Sequence, residues 1–207
     1  GGTVPPGASL LARHESAPLA DAVRDINKFS NNVMARQLFL TLGNDAAPEA
    51  AVGSAAPATT ERARQRLTDW LGARQLRFAE LVIDNGSGLS RSERISAGSL
   101  NRLLLDAWKS PVMPEFISSL PIVGIDGTMK KRLNGSSAAG RAHIKTGTLE
   151  GVKTASGYAL DAQGRHHAVT FLINHPRAQA GSAAIDALLT WVAQRRLGEK
   201  TPVLENE

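Results

Sequence analysis

The 207 residues carry 24 basic and 19 acidic side chains, a formal charge of +5, with 42% apolar and 21% charged residues. That is a globular composition, enough for one ordinary domain. No stretch approaches the roughly 18 consecutive apolar residues of a transmembrane helix, and no basic start leads into a signal-peptide core. With no cysteines, disulfides, thiolate metal ligands and a cysteine nucleophile are excluded.

The charge has a plain reading. The longest basic runs, Lys130-Lys131-Arg132 and Arg195-Arg196, hold no aromatic residues, and five Phe, three Trp and one Tyr are few rings for stacking bases. No nucleic-acid partner is expected. The charge supports a mild attraction to anionic polymers.

In chain order, Gly1 to Gly7 is loop chemistry and the apolar run Ser9 to Ala12 predicts a short strand. Ser16 can cap a helix in which Leu19, Val23 and Ile26 recur at helical spacing until about Phe29. A second helix carries Val33, Met34, Leu38 and Leu42 and ends at Gly43. Ser30 and Asn32 fall at the junction, where short polar side chains can point into a cleft. Residues 44–58 read as a loop, after which Thr59 or Thr60 caps a helix with Ala63, Leu67, Trp70 and Leu71 on its apolar face.

Leu81-Val82-Ile83 reads as a short buried strand, followed by the glycine-bent loop Asp84-Asn85-Gly86-Ser87-Gly88-Leu89-Ser90-Arg91. A helix from about Ser96 to Trp108 buries Leu100, Leu103, Leu104 and Ala107. The last third changes period: His143–Thr146, Thr154–Leu160 and His167–Ile173 predict strands, with Asp161-Ala162-Gln163-Gly164 as the turn between the latter two. A final helix, Ser182 to Leu197, turns Ile185, Leu188, Leu189 and Val192 inward. The expected fold is α+β: one antiparallel sheet with flanking helices and a helical subdomain. With no repeat and no second core in the pattern, residues 1–207 read as one domain.

Metal sites and phosphate loops find no support. The five histidines show no i, i+4 pair, no calcium loop is present, and no metal or cofactor is expected. Lys145-Thr146-Gly147 lacks a glycine-rich approach, Asp84–Gly88 lacks the lysine of a nucleotide loop, and no G-x-S-x-G elbow exists. Two short signals remain. Ser30-Asn31-Asn32 is an S-x-N between helices, and Lys145-Thr146-Gly147 opens the strand region; S-x-N and K-T-G belong to the signature of penicillin-binding proteins and class A β-lactamases.

Four segments occur in order: Phe29-Ser30-Asn31-Asn32-Val33-Met34-Ala35, Asp84 to Arg91, Gly127-Thr128-Met129-Lys130 and His143 to Leu149. Together they closely resemble the class C low-molecular-mass penicillin-binding proteins, the D-alanyl-D-alanine carboxypeptidase/endopeptidases. The resemblance runs from about residue 8 to 197. It implies a penicillin-binding, β-lactamase-like transpeptidase fold, a periplasmic setting, and peptidoglycan stem peptides and β-lactam antibiotics as partners. One part of the pattern is absent. None of the lysines has a serine three residues before it, so the S-x-x-K that supplies the family's nucleophile is not in this chain. The expectation is the C-terminal portion of such a domain, partnered by an N-terminal segment carrying S-x-x-K and inert as a hydrolase alone.

The resemblance also implies roles. Ser30 passes a proton to the leaving amine, Asn32 bonds the substrate amide and the absent lysine, and Lys145 holds the terminal carboxylate. Thr146 offers a hydroxyl to that carboxylate, Gly147 lets the substrate lie along the strand, and the N–H of Thr148 is half of an oxyanion hole. Ser87, Leu89 and Arg91 are candidates for a stem-peptide pocket, Arg91 taking a carboxylate, with Leu149 as an apolar wall. The alternative is a module that binds peptidoglycan peptides without cleaving them.

Overall fold

The computed structural model describes residues 5–9, 11–44 and 58–196. Two consecutive helices, α1 (Leu19–Phe29) and α2 (Asn32–Leu42), are separated by Ser30 and Asn31 alone. Asn31 caps α2 by accepting from the Met34 N–H at 3.1 Å, and Gly43 ends it. α3 (Thr60–Ala73) starts on Thr59, whose hydroxyl accepts from the Arg62 N–H. Phe39 of α2 and Ala63 and Leu71 of α3 are buried. α4 (Ala97–Trp108), capped by Ser96, and the short α5 (Met113–Ser119) complete the helical part.

The strands β1 (Ala142–Leu149), β2 (Val152–Leu160) and β3 (His166–Asn174) form an antiparallel sheet in the order β1-β2-β3, closed by α6 (Ser182–Gln194). Alternation along each strand gives the sheet two apolar faces. Ile144, Ala155 and Val169 face Ile185, Leu189 and Val192 of α6. Tyr158 faces Leu104 and Leu120 on the opposite side, backed by Trp108, Phe116 and Ile117. The sheet is thus a layer between α6 and the helical part, and the α+β expectation holds. Asp161 locks the β2–β3 turn: fully buried, it accepts from the N–H groups of Gln163 and Arg165, the Arg165 side chain and His167.

Several local expectations fail, among them the end of the last helix, which stops at Gln194, and the burial of Trp70, which is 47% exposed. Ser9, Leu11 and Ala12 form no strand, and Leu11 is 96% exposed; Leu10 and residues 45–57 lie outside the described residues. Leu81–Ile83 is no buried strand: Val82 makes one bridge to Arg94 and is 45% exposed, because no second strand continues the pairing. The first helix begins at Leu19 behind Pro18, without the Ser16 cap. Proline fixes its own φ near the helical value, which suits a helix start without a side-chain cap. α5 was not expected.

Candidate active site

The site is built where the α1–α2 junction meets the outer edge of the sheet. Ser30 ends α1 in the left-handed region, φ 54° and ψ 47°. That conformation lets the chain reverse in two residues and turns the serine hydroxyl away from the helix axis. For a residue with a Cβ it costs about 1 kcal/mol. Across the junction, Lys145 Nζ donates to Ser30 Oγ at 2.8 Å and to its neighbour's carbonyl, Thr146 O, also at 2.8 Å. Lys145 is half-buried, and that burial holds its ammonium below the ordinary lysine range. Asn32 opens α2, one residue beyond the Asn31 cap.

Backbone directions along β1 follow from its bonds. The Ile144 N–H donates to Pro121 O at 2.8 Å and Ala142 O accepts from the Val123 N–H at 2.9 Å, so both groups point away from β2. Antiparallel strands alternate, which turns the backbone groups of Thr146 and Thr148 to the same outer edge. Thr148 is exposed there, and Lys153 Nζ donates to its hydroxyl at 3.1 Å. Gly147 sits opposite Thr154, and a Cβ built on it would lie 2.5 Å from Thr154 Oγ1. A side chain here would therefore have to push the Thr154 hydroxyl aside.

A cleft of about 1180 Å³ lies apart from this pair, between the Asp84–Arg91 loop and the β1–β2 turn. Gly86, Gly88, Arg91 and Leu149 line it; Ser87 and Leu89 do not. Ser87 Oγ instead donates to Asn85 Oδ1 at 2.6 Å and accepts from the Leu89 N–H at 3.2 Å, which shapes the loop. Arg91 reaches across it to Glu150 O at 2.7 Å. Ser30, Asn32, Lys145 and Thr146 are not among the cleft's lining residues. The structure thus brings together Ser30 with Lys145, and Arg91 with Leu149, as two separate groupings.

Sequence reading does not single out Lys28. It is buried, with Nζ donating to Asp126 Oδ2 at 2.6 Å and to Leu120 O at 2.7 Å. The available signal was Asp126, directly before the Gly127–Lys130 segment. His143 is half-buried beside this pair. Burial lowers its pKa, against the opposing effect of the bond between Nδ1 and Ile117 O.

The family pattern of the D-Ala-D-Ala carboxypeptidase 3 (S13) family matches residues 1–195. This chain belongs to that family. Among its curated relatives, a D-alanyl-D-alanine carboxypeptidase of Actinomadura sp. (strain R39) is 32% identical over 192 residues, covering 90% of this chain and 34% of the relative. D-alanyl-D-alanine carboxypeptidase DacB of Haemophilus influenzae is 28% identical over 172 residues, 82% of this chain and 34% of the relative. This S13 chain thus spans about a third of the length of these two relatives.

Solved structures agree on the fold. Penicillin binding protein 4 (dacB) of H. influenzae, complexed with a β-lactam, superposes with a TM-score of 0.71 at 24% identity, over 91% of this chain and 46% of that one. The predatory endopeptidase Bd0816 of Bdellovibrio bacteriovorus gives 0.62 at 21% identity, over 91% and 47%. The α+β, transpeptidase-like fold of the S13 family is therefore present here.

Proposed function

We propose that this chain is the C-terminal portion of a serine-type D-Ala-D-Ala carboxypeptidase/endopeptidase domain that acts on peptidoglycan stem peptides and is acylated by β-lactams. In this reading residues 1–207 are part of one penicillin-binding domain, and the nucleophile comes from an S-x-x-K segment outside them. The observation that carries it is the 2.8 Å bond between Lys145 and Ser30, which joins the K-T-G and S-x-N motifs across 115 residues. Relatives three times as long, and named carboxypeptidases, support it. A periplasmic setting goes with that substrate; no helix among the described residues is long and apolar enough to cross a membrane.

The chemistry is acyl transfer. A serine oxygen from the upstream segment adds to the carbonyl of the D-Ala–D-Ala bond, the C–N bond breaks, and D-alanine leaves with a proton on its nitrogen. Ser30 relays that proton, since a hydroxyl can accept and donate at once. Lys145 holds the terminal carboxylate with Thr146 and keeps Ser30 polarised. The substrate adds to the outer edge of β1, and the outward Thr148 N–H meets the carbonyl oxygen as it gains charge. Water then cleaves the ester. Asn32 orients the substrate amide, while Arg91 and Leu149 form a wall for the stem-peptide side chain. Ser87 and Leu89 serve that wall by shaping its loop.

The test is intact-mass spectrometry after incubation with a fluorescent penicillin, on this chain alone and mixed with the upstream segment. An acyl adduct only in the mixture, on the upstream serine, is the expected result. Acylation of the chain alone would overturn the assignment of the nucleophile. No adduct in either sample would overturn the hydrolase reading in favour of a module that binds stem peptides without cleaving them.

A further inference from the structure

Lys28 is 8% exposed, and the reaction scheme makes no use of it. Its hydrogen-bond partners among the described residues lie in one segment, residues 119–127. Lys28 Nζ reaches Asp126 Oδ2 and Leu120 O, while Asp126 Oδ1 accepts from the Ile122 N–H at 2.7 Å. One residue earlier, Asn27 Nδ2 donates to Ser119 Oγ at 2.7 Å. Gly127, at φ 55°, presses against the same turn: a Cβ there would lie 2.7 Å from Lys28 O. Side chains and backbone thus rivet the last turn of α1 to this segment.

The opposite side of the segment grips β1. Pro121 O takes the Ile144 N–H, the Val123 N–H donates to Ala142 O, and Ile122 bridges His143. Each grip lies two residues before one member of the pair: Lys28 before Ser30, His143 before Lys145. Lys28 is buried but the Asp126 side chain is 38% exposed, so desolvation of the lysine and solvent screening of the carboxylate both limit what the pair adds to net stability. What charges and directed hydrogen bonds add here is a defined distance between two elements far apart in sequence.

We infer that Lys28, with Asp126, is a positioning residue for the Ser30–Lys145 pair, holding both to the 119–127 segment as to a common spacer. The inference rests on the acyl-transfer reading for its meaning, but its test needs no activity. Without the clamp, Ser30 relaxes out of its left-handed conformation and Lys145 loses its hydroxyl partner and gains water.

The experiment follows the titration of Lys145 by carbon NMR of ε-labelled lysine in the full chain, for the wild type, Lys28→Met, Asp126→Asn and Asp161→Asn. Direct charge effects give the first two variants opposite signs: removing a cation raises the Lys145 pKa, and removing an anion lowers it. Positioning predicts that both rise, by about one unit. The Asp161→Asn control destabilises the distant hairpin and leaves the titration unmoved. Opposite shifts in the two clamp variants, or none, would overturn the inference. If Lys28→Met does not fold, Asp126→Asn decides alone, because charge and positioning predict different signs for it. Absence of β-lactam acylation would remove the functional reading and leave this result standing.

Discussion

Ser30 accepts a 2.8 Å hydrogen bond from Lys145 while held in a left-handed backbone conformation. The two facts belong together. The reversal that strains the serine is also what brings its hydroxyl to the strand, so the strain is stored at the proposed site.

Ser30→Gly separates strain from function. Glycine adopts this φ without penalty, a gain of about 1 kcal/mol partly offset by a freer unfolded chain, so stability should rise by about 0.5 kcal/mol. The hydroxyl is lost, and acylation of the reconstituted domain should fall about 100-fold. Urea unfolding and acylation rates read the two effects. Lower stability would mean that the bond to Lys145 outweighs the strain, and an unchanged rate would remove Ser30 from the proton path.

Gly147→Ala tests a different overlap of structure and chemistry. The added methyl would sit 2.5 Å from Thr154 Oγ1. An overpacked contact of this kind costs about 1–3 kcal/mol. Thr154→Ala removes the obstructing hydroxyl, so the double variant should recover most of the stability. Peptide turnover by the double variant reconstituted with the upstream segment then shows whether the bare backbone also serves the substrate. Full recovery of turnover would confine the glycine's role to the sheet.

The residues differ in how far they could be read in advance. α1, α2 and the junction holding Ser30 follow from apolar spacing and Gly43, and the sheet follows from alternation around the Asp161–Gly164 turn. Leu81–Ile83 misleads because three apolar residues say nothing about whether a partner strand exists. α5 is too short for its period to register. Lys28 escapes notice because a lysine on a helix is usually solvated, and its partner Asp126 lies 98 residues away. That Ser30 and Lys145 serve one site follows from the resemblance; local pattern carries no information about contacts at that separation.

The buried Asp161 carboxylate predicts acid sensitivity. Burial works against its charge, but bonds from His167, Arg165 and Gln163 outweigh burial and hold it well below the usual carboxylate range. A pKa depressed in the folded state contributes stability above the unfolded value of about 4 and loses it as pH falls. The wild-type melting temperature should therefore drop steadily below about pH 5. Asp161→Asn should melt lower at neutral pH and show a shallower decline. Parallel curves would show that other groups govern the acid limb.

Tyr158 gives the complementary reading at high pH, and as the one tyrosine in the chain it can be followed without interference. Its side chain is buried and its hydroxyl donates to Leu104 O at 2.6 Å. Burial pushes its pKa up to about 12. The unfolded phenol ionises near 10, so this group's contribution is complete below about pH 10 and is lost as pH rises toward 12. Phenolate absorbance in the native protein should stay flat through pH 10 and 11 and then rise together with loss of the circular dichroism signal. A separate ionisation near pH 10 with the fold intact would mean that the ring is open to solvent and that the packing between the sheet and α4 is looser than the Leu104 bond implies.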